Sequence, residues 1–250
     1  MSANRTACHI GLLIFPGMTQ IDFAEPFEVF ARLPDTVVHV VAKTLDPVRT
    51  DRGLVLVPTV TCQDCPLLDV IVVPGGPGTQ HLLRDDAMLG FLRQQAQQAK
   101  YVTSVCTGAL VLGAAGLLLG YRATTHWLSM PLLELYGAVP VAQRVVVDGN
   151  RVTAGGCTAG MDFALQLAAM LRGETIAQQI QLHLEYSPAP PFQSGSPATA
   201  PKDVVETVRR AAQSRQQERW KAASDWRNNR LAQRDSLPRG PAEAVNAAPG

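Results

Sequence analysis

Four short apolar runs, at residues 10–15, 37–42, 70–73 and 101–105, are rich in Val, Ile and Leu and are bounded by polar or turn-forming residues, the pattern of buried strands. Between and after them, residues 21–32, 87–100, 107–112 and 127–136 space their apolar side chains at helical intervals, and Asp85 or Asp86 supplies an N-cap for the second. This alternation predicts an α/β fold, a mostly parallel sheet sandwiched between helices. Residues 49–60 predict an edge strand or hairpin, and residues 145–148 and 151–154, joined through Gly149-Asn150, predict a second hairpin. Residues 158–172 read as an apolar helix and 175–184 as a more polar one. A Pro/Ser/Gly-rich stretch at 187–201 is expected to lie extended on the surface, followed by a long helix at 202–234. The organisation expected is an α/β domain over 1–200, a helical extension over 201–237 and a disordered tail over 238–250.

Composition narrows the function. The 250 residues are 46% hydrophobic and 17% charged with a net charge of +1, enough for a large core and without the bias of a nucleic-acid binder. The body is slightly acidic and the last fifty residues slightly basic. No apolar run reaches membrane-spanning length and no secretory pattern opens the chain, so neither a membrane nor a nucleic-acid partner is expected. Five cysteines in this context predict reduced thiols in the cytoplasm. Cys62-Gln63-Asp64-Cys65 has metal-knuckle spacing but no second pair, and His9, His39, His81 and His183 are scattered, so no metal is expected.

The chemistry concentrates elsewhere. Cys106 stands where the 101–105 strand meets a helix pattern, a join that exposes unpaired amides and a helix dipole and so predicts a lowered thiol pKa. The alternative at this position is an inert buried thiol. Gly75 and Gly76, in the loop after the 70–73 strand, would open on the same sheet edge, where their amides suit an oxyanion pocket or simply a tight turn. Asp22, after the first strand, reaches that edge too, as an acid/base partner or a helix cap. His126 and Trp127 offer a base or a wall. Cys157, in Gly156-Cys157-Thr158-Ala159-Gly160, echoes Cys106-Thr107-Gly108-Ala109 and is expected to line the pocket or to serve as a reserve nucleophile.

Several segments together resemble the ThiJ/PfpI superfamily: Phe15-Pro16-Gly17 with Asp22 and Pro26, Val73-Pro74-Gly75-Gly76-Pro77-Gly78, Ser104-Val105-Cys106-Thr107-Gly108-Ala109, Thr124-Thr125-His126-Trp127, and Thr153-Ala154-Gly155-Gly156 with Thr158-Ala159-Gly160. The similarity runs from about residue 8 to 200. Asp22 in place of the commoner Glu, Thr107 after the cysteine, and the 181–192 segment make it most similar to the isonitrile hydratase branch. The resemblance implies a flavodoxin-like, class I glutamine amidotransferase-like fold with a nucleophile elbow, a homodimer, no cofactor or metal, and hydration of a small isonitrile to an N-substituted formamide. On that reading Cys106 attacks the isonitrile carbon, Asp22 moves the proton, and a thioimidate forms. Thr107 orients Asp22 or water, Gly75 and Gly76 stabilise charge, and Ile21, His126, Trp127, Gly156 and Cys157, with Met161, surround the substrate. The alternatives are a glyoxalase- or deglycase-like enzyme and a regulatory or redox-sensing domain. For a regulator, the fifty residues after 200 are short for a tandem helix-turn-helix unit.

Overall fold

The apolar runs form the centre of a seven-stranded sheet in the computed structural model, which describes residues 7–235. In chain order, β1 (Cys8–Leu13), α1 (Gln20–Phe30) and β2 (Thr36–Ala42) are followed by short strands β3 (Val48–Arg49), β4 (Val55–Leu56) and β5 (Val60–Thr61). Then come β6 (Val70–Val73), α2 (Thr79–Leu82), α3 (Asp86–Ala96), β7 (Tyr101–Val105), α4 (Gly108–Ala114) and β8 (Arg122–Ala123). A 3-10 turn at Trp127–Ser129 leads to α5 (Leu132–Leu135), β9 (Val139–Pro140), β10 (Val145–Asp148), β11 (Arg151–Ala154), α6 (Ala159–Arg172), α7 (Glu174–His183) and α8 (Lys202–Asp235).

The sheet order is β10-β11-β7-β6-β1-β2-β5, parallel throughout except for the β10–β11 hairpin. From β1 the chain steps to β2 on one side, and from β6 it steps to β7 on the other. Right-handed crossovers then put α1 and α3 on opposite faces, giving a doubly wound, flavodoxin-like α/β sheet. Strands covered on both faces need apolar side chains in both directions. Ile10, Leu12, Val70, Val72, Val73, Val102 and Val105 accordingly have no exposed surface. The direction of winding reverses between β1 and β6, and the crevice at their carboxyl ends is where such a sheet leaves room for a ligand.

The 49–60 segment supplies both features the pattern allowed: β3 and β4 make a small hairpin and β5 adds an edge strand. Asp85 is the cap of α3, its carboxylate accepting from the Met88 amide at 3.1 Å. The single helix expected over 127–136 is instead a 3-10 turn and α5, with Pro131 between them. Proline has no N–H to give to a helical ladder, which accounts for the break. The 187–201 segment has no helix or strand and is almost wholly exposed. The disordered tail expected at 238–250 lies outside the described residues. α8 is anchored on the body by buried Ala212, Arg219, Ala222 and Ala223, and by the Trp226 indole donating to the Ala114 carbonyl at 2.9 Å. Among the described residues no helix is long and apolar enough to cross a membrane.

Candidate active site

Register decides which loops meet. Val73 lies opposite Ser104, and Val105 opposite Ala154, so the chain leaves β6, β7 and β11 at one level. The next residues are therefore the Gly75-Gly76 loop, Cys106, and the Gly155-Gly156-Cys157 turn. Cys106 has φ +54, in the left-handed region that non-glycine residues seldom adopt. Its amide donates to the Ala154 carbonyl at 3.0 Å, and its own carbonyl accepts from the Thr125 hydroxyl at 2.7 Å. Two clamps thus hold a strained elbow. A Cβ on Gly108 would sit 2.0 Å from the Val73 carbonyl oxygen, so the helix after the elbow can begin only with glycine there.

Asp22 lies in the first turn of α1 and has no exposed surface. It does not cap the helix; Thr19 occupies that position. One carboxylate oxygen, Oδ2, accepts the Gly75 amide at 2.9 Å. The other, Oδ1, is buried without a partner at hydrogen-bonding geometry. A carboxylate oxygen of Asp22 and the Cys106 and Cys157 sulfurs all lie within 4.8 Å of one another. Both thiols thus act on the Asp22 carboxylate, and the three groups are also the set of donors that could close on a soft metal ion.

Their electrostatics reverse one expectation. Burial raises the Asp22 pKa from 3.8 to about 6, opposed by the Cys157 thiol, the Gly75 amide and the Cys106 thiol. The Cys106 pKa is raised well above 9 by the Cys157 thiol, by burial and by the Asp22 charge, while the Thr107 amide and the Arg219 guanidinium favour the anion. α4 is short, and one amide does not offset a neighbouring carboxylate in a dry site. Burial and the neighbouring carboxylate thus favour the thiol form of Cys106, and the two groups titrate as a pair.

The expected oxyanion donors are also committed elsewhere. The Gly75 amide is spent on Asp22, and the Gly76 amide donates to the Thr107 hydroxyl oxygen at 3.0 Å. Thr107 Oγ1 in turn lies 3.4 Å from both the Gly76 carbonyl and the Thr79 hydroxyl. Thr107 thus fastens the glycine loop to the elbow instead of orienting Asp22 or water. Gly75 must be glycine because a Cβ there would lie 2.5 Å from the Thr107 nitrogen and 2.9 Å from Asp22 Oδ2.

A cavity of about 680 Å³ opens on this cluster. Cys106, Thr107 and Cys157 form one side of it, with Ile21 and His126. His126 Nδ1 accepts the Leu128 amide at 3.3 Å, which makes it a capping group and a wall; its pKa is lowered by burial and by Arg219. Trp127 and Gly156 do not line this cavity. Trp127 faces a neighbouring hollow beside α8 with Trp220, under the Arg209 guanidinium. Gly156 faces open space, and Met161 packs against the core with its amide on Glu25 at 3.1 Å. Burial also pushes Glu25 up, to about 7. Sequence reasoning missed the opposite side, where α8 contributes Arg215, Gln216 and buried Arg219. Arg215 and Arg219 fall four residues apart on one helix face, which the helical pattern could have revealed, but nothing local says which face docks. It also called the histidines scattered, whereas His9 and His39 stack with ring nitrogens 2.9 Å apart, away from this cavity.

The DJ-1/PfpI family matches residues 9–170, and the chain belongs to that family. It is 59% identical over 206 residues to the isonitrile hydratase of Pseudomonas putida, covering 82% of this chain and 90% of that protein. A solved structure of a THiJ/PfpI family protein from Pseudomonas syringae superposes with a TM-score of 0.85 at 44% identity, covering 87% of this chain and 90% of that one. The HTH-type transcriptional regulator GbdR of Pseudomonas aeruginosa is 31% identical over 185 residues, 71% of this chain but 50% of the regulator.

Proposed function

We propose that this protein hydrates isonitriles, R–N≡C, to N-substituted formamides, with Cys106 as nucleophile and Asp22 as proton carrier. The observation that carries the reading is the Cys106 elbow closed against a buried carboxylate whose pKa stands at about 6. The high identity to an isonitrile hydratase supports the substrate class.

The residues support the following steps. The Cys106 thiol gives its proton to Asp22 as the isonitrile carbon approaches the sulfur. Asp22 has no exposed surface, so the substrate must come to the sulfur to reach the acid. The carboxylic acid returns the proton to the isonitrile carbon, whose lone pair accepts it, while the thiolate attacks the same carbon; the product is the thioimidate R–N=CH–S–Cys106. Water then adds to that carbon, Asp22 taking its proton and passing one to nitrogen. The tetrahedral R–NH–CH(OH)–S collapses, the C–S bond breaks, the hydroxyl proton returns through Asp22 to sulfur, and R–NH–CHO leaves. The balance is one isonitrile plus one water, with no electrons exchanged. A carboxyl pKa near the working pH suits a group that must gain and lose a proton in each cycle. The Thr107 amide favours the thiolate when it forms and when it leaves. We take the active unit to be a cytoplasmic homodimer, a proposal that light scattering on the purified protein checks.

The test is consumption of cyclohexyl isocyanide, with formamide appearance, by wild type beside Cys106→Ala, and with methylglyoxal run in parallel for glyoxalase-like chemistry. Turnover of the isonitrile by wild type alone is the expected result. Equal turnover by both, or turnover of methylglyoxal only, contradicts the reading.

A further inference from the structure

The α8 side of the cavity holds charge that the proposed reaction leaves unused. Arg219 is only 6% exposed. Its Nη2 donates to the Gly76 carbonyl at 2.9 Å and to the Thr79 hydroxyl at 3.2 Å, both neutral partners. Its Nε is buried and has no partner. Arg215, one turn earlier, lines the same cavity and is exposed. Among the described residues neither arginine makes an ion pair. Asp51 also lines the cavity; its Oδ2 is met by Arg52 at 3.9 Å and by the Thr19 hydroxyl at 3.3 Å, its Oδ1 is buried without a partner, and no ion pair joins it to either arginine of α8. Glu218, next to Arg219 in the chain, is exposed. The Cys106 sulfur lines the same cavity and acts as a counter-charge to Arg219 only when ionised, and Asp22 lies buried with no exposed surface.

Leaving a guanidinium buried without an anion is costly, because its hydration is lost and no opposite charge replaces it. Burial pushes the Arg219 pKa down and Arg215 adds to it, and the opposing pull of Cys106 and Glu218 does not make up the difference. A neutral, wholly apolar isonitrile would leave that cost in place. A carboxylate would remove it, and the planar donor edge of arginine fits a carboxylate's two oxygens.

We propose that the substrate of this site is an isonitrile bearing a carboxylate, held by Arg219 and Arg215 while its isonitrile carbon meets Cys106. The proposal rests on the hydratase reading above. The Arg219 contacts to Gly76 and Thr79 tie the cation to the same loop that Thr107 clamps, so the carboxylate site and the elbow are fixed to one another.

The test compares 2-isocyanoacetate with methyl isocyanoacetate, the same isonitrile without the charge. Wild type is expected to favour the acid in kcat/KM by about 10- to 100-fold, the range of a charge-assisted hydrogen bond in a dry site. Arg219→Met should bring that ratio close to one, Arg219→Lys should keep part of it, and Arg215→Gln should lower it by a smaller factor. Arg215 is exposed, so its variant keeps the test valid where Arg219→Met fails to fold. A wild-type ratio near one, or a ratio that neither Arg219→Met nor Arg215→Gln changes, overturns the proposal. Equal slowing of acid and ester by Arg219→Met also overturns it, because that would assign Arg219 to the thiolate. If neither isonitrile is hydrated, the hydratase reading fails, and the carboxylate site is read by protection of Cys106 from iodoacetamide. Stronger protection by N-formylglycine than by its methyl ester upholds the site; equal protection removes it.

Discussion

The chain builds nearly the same turn twice, and the two copies have different fates. Cys106-Thr107-Gly108-Ala109 and Cys157-Thr158-Ala159-Gly160 each carry a strand into a helix. The first is buried at all four residues and bends through a left-handed cysteine; in the second, Cys157 is half-buried, Thr158 is exposed and no residue has positive φ. The cause lies in the neighbours. β7 has parallel strands on both sides, so its turn is pressed between the Gly75-Gly76 loop and the end of β11. β11 has an antiparallel hairpin partner on one side, so its turn opens outward. The same tetrapeptide chemistry yields a buried, strained cysteine inside the sheet and a half-buried thiol near its edge.

Removing each sulfur in turn breaks the comparison most directly. Cys106→Ala is expected to lower isonitrile turnover by about three orders of magnitude or more, and Cys106→Ser nearly as much, since an alcohol is a far poorer nucleophile and leaving group. Cys157→Ala should cost about tenfold at most, because it shifts the Asp22 and Cys106 protons without removing the reacting sulfur. Steady-state kinetics on the three variants check the order, and a reversed order would transfer the nucleophile to Cys157.

Asp22 ties the two turns together and should separate activity from stability. Asp22→Asn is expected to lower kcat by about 10²- to 10³-fold, the usual weight of a positioned acid/base group. Stability should move the other way. The Asp22 pKa is raised in the folded state, so its contribution is fully present below the ordinary carboxyl pKa of 3.8 and is lost as pH rises through about 6. Removing the ionisable group should then stabilise the protein at pH 8 by about 2–3 kcal/mol and leave it nearly unchanged at pH 3.5, provided Asn keeps the Gly75 contact. Thermal melts of both proteins at the two pH values decide this.

The glycines of the turns sharpen the contrast further. Gly108→Ala forces a methyl onto the Val73 carbonyl and should destabilise by about 3 kcal/mol, whereas Gly156→Ala meets open space and should change stability by less than about 1 kcal/mol. Urea melts compare them. The pH dependence needs no variant. With Asp22 required as the carboxylate that accepts the thiol proton, kcat/KM should fall tenfold per pH unit below about 6, and a flat profile between pH 5 and 8 would remove Asp22 from the proton path.

Much of this was legible beforehand where a local pattern carries the information. The strands at 70–73 and 101–105, the hairpin through Gly149-Asn150 and the Asp85 cap depend on side chains close in sequence, and they stand where the pattern put them. The meeting of Asp22, Cys106 and Cys157 followed once a parallel sheet was assumed, because strand ends then share an edge. What depended on long-range docking was not legible. The state of the Cys106 proton needs the burial of Asp22. The engagement of both loop amides needs the Thr107 rotamer, and Arg219 needs to be known to fold back from a helix more than a hundred residues away. Trp127 beside His126 illustrates the same limit: adjacent residues in a turn line different cavities.

The central claim is a covalent bond between the Cys106 sulfur and the isonitrile carbon. Rapid acid quench of wild type during turnover of cyclohexyl isocyanide, followed by peptide mass spectrometry, measures it directly. The account predicts a transient adduct equal in mass to one intact isonitrile on the peptide carrying Cys106, absent from Cys106→Ala. Turnover with the peptide unmodified throughout, or the adduct on the peptide carrying Cys157, would contradict it.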